Sequence, residues 1–300
     1  MRGSIPVSAT ANAALPRVRR EGLIRAVAFA RRFARSPNAV IGLTLFVGLL
    51  VIAALAPLIA PYDPIAINVR ERLQPPSAAH LFGTDDFGRD IFSRVLWGSQ
   101  LAVRLGTLSV LVALAGGIAL GLLSGYYRGW VDMVISRFFD VIISFPYVLF
   151  AIAIVAVLGQ SLDNLVVALG LYGWAGYGRI VRGSVLSAGQ REYVEAARAV
   201  GARARRIMVR HILPNVVAPV IILSATRFGG ALLAGSGLSF IGLGVPIPQP
   251  EWGAIMATGR DYLLNASWIA IFPGAMITLA VLGVNLLGDG LRDVLDPRLQ

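Results

Sequence analysis

The sequence contains no cysteine and no lysine, and its 300 residues include only two histidines. Without cysteine the chain can form neither a disulfide nor a thiolate metal site. Without lysine it has neither a Walker A phosphate loop nor a Schiff-base nucleophile, so it cannot hydrolyse ATP by that route. His80 and His211 are too few for a usual zinc site. We therefore expect no metal site, no cofactor and no catalytic residue of its own, and predict that the chain is not an enzyme.

Charged side chains are also scarce, because they make up 14% of the residues, whereas soluble domains have about 25%. Hydrophobic residues reach 56%, and the mean hydropathy is +0.72. The net charge of +11 could indicate a nucleic-acid partner. A basic domain of that kind would not carry so many long apolar runs, so we expect a lipid bilayer as the partner and no nucleic acid.

Six apolar runs are long enough to cross a membrane, which takes about 20 residues. The fourth run is rich in glycine and has arginine near its end, and the fifth is interrupted by Arg227. The pattern predicts an all-α polytopic membrane protein with six transmembrane helices. The predicted spans are residues 40–60, 105–127, 141–162, 165–182, 216–241 and 268–287.

The distribution of arginine predicts the orientation of these spans. With the N-terminus inside, 20 arginines fall in inner segments and five in outer ones, which agrees with the positive-inside rule. Both termini are then cytoplasmic. Within the tail, residues 17–35 could form a basic amphipathic helix on anionic lipid or remain disordered. The predicted divisions are a basic tail (1–38), a first transmembrane helix (39–61), an extracytoplasmic loop (62–100), a core transmembrane domain (101–290) and a cytoplasmic C-terminus (291–300).

One inner segment carries an unusual concentration of charge. The stretch EYVEAARAVGARARRIMVRHILPN, residues 192–215, contains two glutamates and five arginines between two apolar runs. Its first half has strong helix formers and small alanines, and Glu195 is spaced to pair with Arg198. Gly201 then permits a turn or a close contact, and Pro214 suits the first turn of the next span. Such a segment can transmit a push into the membrane, but an ordinary positive-inside loop would have the same composition.

The spacing of this segment resembles the EAA motif of ABC importer permeases. The motif residues are Glu195, Ala196, Ala197, Gly201, Leu213 and Pro214. His211 departs from the broad family pattern, which has isoleucine there, and the RHILPN sequence at 210–215 instead resembles the dipeptide and oligopeptide branch.

Four further stretches resemble the same branch in the same order, so the resemblance covers residue 38 to the end of the chain and is specific for the C-type permease subunit. Gly235 departs from members that often have an acidic residue at that position. The stretches are HLFGTDDFGRDIFSRVLWGS (80–99), GYYRGWVDMVISRFFDVIISFP (125–146), LSFIGLGVPIPQPEWG (238–253) and FPGAMITLAVLGVNLLGDGLRDVLDPRLQ (272–300).

The resemblance implies a type I ABC importer permease of the bacterial inner membrane. It implies pairing with a homologous permease subunit, two ATP-binding subunits that dock on the coupling segment (residues 191–214), and an extracytoplasmic substrate-binding protein. ATP would be bound by those partner subunits. The implied cargo is a di- or oligopeptide, with nickel chelates, glutathione, opines and oligosaccharides as the family's alternatives.

Two regions outside the motif carry further expectations. Arg227, about halfway along the fifth span, would cost roughly 2.5–3.5 kcal/mol if it faced lipid. It should therefore line the translocation path or pair with a carboxylate of the partner subunit. In the 62–100 loop, Thr84 or Asp85 could cap the following helix, and we expect structural roles for the charged residues between 85 and 90.

Two other classes of protein fit the sequence less well. An intramembrane serine protease would need Ser236 and His211 to meet, but 25 residues of continuous helix would separate them by about 37 Å. A secondary transporter or channel often has paired charges within its spans, whereas only Arg227 lies deep in a span here.

Overall fold

The computed structural model describes residues 29–295, and within that range the protein is all-α apart from one isolated bridge between Thr84 and Asp90. The predicted fold class is therefore confirmed. Most of the tail prediction (residues 17–35) and the end of the chain lie outside the described residues. Residues 29–35, the described part of that tail, are helical. The α-helices that follow are α1 (Pro37–Ile59), α2 (Ile91–Tyr127), α3 (Gly129–Ser144), α4 (Tyr147–Leu158), α5 (Leu162–Ala188), α6 (Glu192–Ala199), α7 (Ala204–Phe240), α8 (Trp252–Gly259) and α9 (Trp268–Leu295).

Four of the described helices are long and apolar enough to cross a membrane, namely α1, α2, α7 and α9. A fifth crossing is obtained if α3 and α4 together form one bent span. The predicted fourth span lies within α5, which is long but less apolar. The total of six spans therefore stays a prediction.

The predicted third span, residues 141–162, is wrong as a single helix. α3 ends at Ser144 and α4 begins at Tyr147, and the two axes differ by 92°. The cause is Pro146, which has no N–H for helical bonding and disfavours a helical conformation at the residue before it. Phe145 accordingly has extended backbone angles.

The helix that contains the predicted second span begins before it, because α2 starts at Ile91 rather than at residue 105. Its cap is Asp90, whose carboxylate accepts a hydrogen bond from the Ser93 backbone N–H at 2.7 Å, so the expected caps at Thr84 and Asp85 are wrong. With 37 residues α2 is about 55 Å long, well beyond the thickness of a bilayer. Its first turns therefore extend beyond the bilayer, where they contact the segment of residues 62–90.

The core of the protein is the tight pairing of α2 with α5. Glycines along one side of α2 stand where a methyl group would overlap Tyr177, Val181 or Val185 of α5. These glycines therefore give α2 a small face that allows close helix packing. α7 packs against both α2 and α5. α1 and α9 pack against each other, and they join this core because α1 also contacts α2 and α9 also contacts α7.

Candidate coupling segment and membrane groove

The predicted charged segment forms a short helix with a defined end. α6 closes with a Schellman motif, in which the Ala202 N–H donates to the Ala197 carbonyl at 3.0 Å and the Gly201 N–H donates to the Arg198 carbonyl at 2.9 Å. Gly201 has φ +75°, which is the left-handed conformation that this motif requires. A side chain at this position would meet open space within the chain. The expected turn at Gly201 is therefore present, whereas none of residues 29–295 makes a close contact at this position.

One face of α6 is anchored in the protein. Val194 and Ala197 are buried in an apolar cluster with Val185 of α5 and with Ile207 and Ile212 of α7. Because α6 shares this cluster with two long helices, displacement of α6 must displace α5, α7 or both.

A hydrogen bond adds to this connection between α6 and α7. Asn215 Nδ2 donates to the Tyr193 hydroxyl at 3.1 Å and also to the His211 carbonyl at 2.8 Å. The first bond joins the Tyr193 side chain of α6 to α7. The second holds the Asn215 side chain against the turn at which α7 becomes α-helical.

The opposite face of α6 is exposed. Glu195 and Ala196 lie on it, and Val200 at its end is 83% exposed. Ala197, which is also one of the predicted coupling residues, does not lie on this face, because its side chain is buried. The predicted Glu195–Arg198 ion pair is absent from the part of the chain that the structure describes, and the Arg198 guanidinium instead lies 5.6 Å from the centre of the Tyr126 ring.

After the turn at residues 200–203, the link from α6 to the membrane is helical. α7 begins at Ala204, includes a π-helical turn at Ile207–Ile212 and continues as α-helix from Leu213. Pro214 stands in the first turn of that α-helical part, as predicted. Its ring would clash with the carbonyl four residues earlier in an unbroken α-helix, and the wider π turn accommodates it.

An ion pair that sequence reasoning missed ties α5 to α3 near the same end. Asp132 accepts two hydrogen bonds from Arg182, at 2.5 Å to Nε and 2.6 Å to Nη2, and further bonds from Ser124 and Ser136. The partners lie 50 residues apart, so no local spacing indicated the pair. The bidentate geometry fixes the orientation of α3 relative to α5.

Arg227 faces a groove of about 670 Å³ that runs between α4 and α7. Tyr147 and Val148 line one side, and Leu223, Leu233 and other residues of α7 line the other. The Arg227 guanidinium lies against the backbone of α5, where Gly176 leaves space for it. No carboxylate within residues 29–295 lies within 4.0 Å of Arg227. Both predictions for Arg227, that it lines the path or that it pairs with a carboxylate of the partner subunit, therefore stay predictions.

The remaining candidate residues do not converge on a catalytic arrangement. Ser236 donates a hydrogen bond to the buried Glu251 at 2.9 Å, which caps α8, and not to a histidine. Gly235 is packed against Leu105 and does not line the groove. Among the residues that the structure describes, no group of three His, Asp or Glu side chains could hold a metal ion.

Comparison with known proteins gives two family matches that together include most of the chain. Residues 117–300 match the binding-protein-dependent transport system inner membrane component family, and residues 27–76 match the N-terminal transmembrane domain of oligopeptide transport permease C.

Individual relatives are similar over nearly their whole length. The dipeptide transport system permease protein of Alkalihalophilus pseudofirmus is 44% identical, covering 90% of this chain and 89% of the relative. A putative peptide transport system permease protein of Brucella suis is 46% identical, with 90% and 91% covered. The glutathione transport system permease protein of Pectobacterium atrosepticum is 44% identical, with 91% of both chains covered.

Proposed function

Since the chain belongs to the family of binding-protein-dependent transport system inner membrane components and is an ABC importer permease, we propose that its cargo is a di- or oligopeptide. The relatives named for dipeptides, peptides and glutathione support this class, because glutathione is itself a small peptide. Their names do not support nickel chelates, opines or oligosaccharides.

The proposed assembly contains four further protein components. One homologous permease subunit would enclose the path together with this chain, two ATP-binding subunits would supply energy, and an extracytoplasmic binding protein would deliver cargo. Both termini would lie in the cytoplasm of a bacterial cell. The proposed divisions are the tail (1–38), the first span (39–61), the outer loop (62–100), the permease core (101–290) and the C-terminal end (291–300).

The observation that supports docking of the ATP-binding subunits on this chain is that α6 has one buried face and one exposed face. Its buried face, with Val194 and Ala197, belongs to the core of α5 and α7. Its exposed face, with Glu195 and Ala196, presents small and acidic side chains to a partner. A partner subunit that closes on the exposed face would therefore move α7, and α7 carries Arg227 on the groove that we propose as the path.

The docking role can be tested with an exposed alanine, whose replacement disturbs no buried contact. We expect Ala196→Arg to leave the chain in the membrane but to lower co-purification of the ATP-binding subunits at least about tenfold, because an interface that loses 1.4 kcal/mol binds tenfold more weakly. The matched control is Ala66→Arg, which makes the same change at an exposed position of the 62–90 segment.

Partner subunits for co-expression are to be sought in the neighbouring reading frames. Normal co-purification and uptake with Ala196→Arg would contradict docking at α6. Equal loss with Ala66→Arg would show that the substitution, and not its position, weakens the assembly.

A further inference from the structure

Arg227 is a charged group whose counter-ion is missing from the described chain. Its guanidinium is held in place because it lies along α5 at Gly176, where an added methyl group would stand 2.5 Å from Nη2. The side chain is half-buried and is the one charged group among the described residues that line the groove. A cation in an apolar setting requires an anion or water to offset its desolvation.

A second polar group next to Arg227 also lacks a partner. The Ser109 hydroxyl is buried in α2 and makes no hydrogen bond to any described residue. Ser109, Tyr147 and Arg227 together line a small cavity of about 20 Å³. That volume can hold one water molecule. Unsatisfied buried hydroxyls are rare in folded proteins and call for a ligand, a water or a functional reason.

The larger groove begins at the same two residues. Tyr147 and Arg227 line both spaces, and the groove beyond them has apolar walls from Val148, Leu223 and Leu233. Its volume of about 670 Å³ lies in the range of small-molecule sites. A molecule that fits it would place an apolar body against these walls and an anionic group at Arg227.

We propose that Arg227, Tyr147 and Ser109 form a subsite for a carboxylate of the cargo. The guanidinium would bind the two carboxylate oxygens in parallel, as arginine does elsewhere. The Ser109 hydroxyl would reach the carboxylate through a water in the small cavity. The inference rests on the proposed function and narrows it to cargo that has a free carboxylate beside an apolar side chain.

The test compares two cargoes that differ only at this group, namely a dipeptide with an apolar C-terminal residue and its C-terminal amide. ATP-dependent uptake of each is measured for the complete importer in proteoliposomes. The binding protein has its own preference, so the quantity of interest is the change in the acid-to-amide uptake ratio between the wild type and each variant.

We expect Arg227→Gln to lower uptake of the acid at least about tenfold and uptake of the amide by a clearly smaller factor, because only the acid loses the attraction between two opposite charges as well as the hydrogen bonds. Ser109→Ala should lower the ratio in the same direction by a smaller factor. The control is Arg104→Gln, because Arg104 forms an exposed pair with Asp163 away from the groove. That variant should keep the wild-type ratio.

The competing occupant is a carboxylate of the homologous permease subunit. In that case Arg227→Gln would reduce both cargoes equally and weaken co-purification of the two permeases, and the subsite would be overturned. If the wild-type importer transports neither cargo, the proposed function is wrong, but this result alone does not test the carboxylate subsite. Equilibrium dialysis of the labelled dipeptide against the solubilised chain then decides: binding lost with Arg227→Gln supports the subsite, and equal binding refutes it.

Discussion

The 62–90 segment and the coupling segment (191–214) are both rich in charge, but they use it in opposite ways. In the first, the side chains of Asp85, Arg89 and Asp90 are 2–4% exposed and pair with one another or with neighbours. In the second, Glu192 and Glu195 are exposed, and neither forms an ion pair with any described residue. The buried charged side chains of the 62–90 segment form their ion pairs within the chain and so stabilise the fold. Charges left exposed on an anchored helix are available to another subunit.

The buried network of the 62–90 segment centres on Asp85. Its Oδ2 accepts from Arg89 Nε at 2.6 Å, and its Oδ1 accepts from the Phe87 and Arg89 backbone N–H groups at 2.9 Å. Arg94 Nε lies 3.7 Å from the same carboxylate, and Arg94 Nη1 donates to the Pro64 carbonyl at 2.8 Å. These bonds join both ends of the segment to the start of α2.

Among the variants that test the contrast between buried and exposed charges, we expect Asp85→Ala to have the largest effect on stability. Removing one member of a buried ion pair leaves Arg89 buried without its partner, which typically costs 3–5 kcal/mol. We expect a large fall in the unfolding midpoint of the solubilised protein and a low yield in the membrane. Thermal unfolding in detergent provides the measurement.

The control for this change is Asp163→Ala, which breaks the exposed pair with Arg104, whose two side chains are 54% and 72% exposed. Exposed pairs contribute about 0–1 kcal/mol, so the midpoint should hardly move. A similar shift in the two variants would remove the distinction between buried and exposed charge on which the comparison depends.

Much of the fold could be predicted from hydropathy, because long apolar runs leave few alternatives to membrane helices. The failures occurred where a local feature overrides that pattern. Pro146 breaks the predicted third span, and α2 begins at Ile91 because the chain outside the apolar run also has capping and packing residues, such as the cap Asp90. Hydropathy locates the part of a helix that is in lipid and not the point at which the helix begins.

In the coupling segment, Gly201 is the position at which we expect a substitution to have an effect of intermediate size. We expect Gly201→Val to lower ATP-dependent uptake at least tenfold without loss from the membrane. Its left-handed conformation costs roughly 1–2 kcal/mol for ordinary residues, and valine tolerates it least. Gly201→Asn also adds bulk, but asparagine tolerates this conformation, so most uptake should remain.

These two variants separate conformation from contact at the end of α6. If Gly201→Asn abolishes uptake as completely as valine does, the open space beside this residue is filled by a partner, and bulk rather than conformation is decisive. Uptake that is normal with valine would argue against any coupling through this turn.

The candidate site was only partly predictable, because motif spacing gives no information about which side chains face inwards. Ala196 and Ala197 are adjacent in the motif, yet one is exposed and the other is buried. The Asp132–Arg182 pair and the orphan hydroxyl of Ser109 depend on contacts between distant helices. Of the residues that line the groove, Arg227 was singled out from the sequence, because a charge in an apolar run is conspicuous.

The smallest expected effect concerns Asp86, the member of the 62–90 segment that fits the contrast least well. Burial raises the pKa of its carboxyl, the adjacent Asp85 raises it further, and Arg89 opposes both effects. Because the folded state binds this proton more tightly than the unfolded state does, stability should fall as the pH rises from about 4 through the raised pKa.

Asp86→Asn removes this titration. We expect it to raise the free energy of unfolding at neutral pH by less than about 1 kcal/mol, and to make no difference below about pH 4, where the aspartate is protonated in both states. Denaturant unfolding at several pH values gives the comparison. If the variant is less stable than the wild type at neutral pH, the Asp86 charge supports the fold in the same way as that of Asp85. If the variant is more stable, as expected, the Asp86 charge does not stabilise the fold. Asp86 is then the position in the 62–90 segment at which a partner outside the membrane is to be sought.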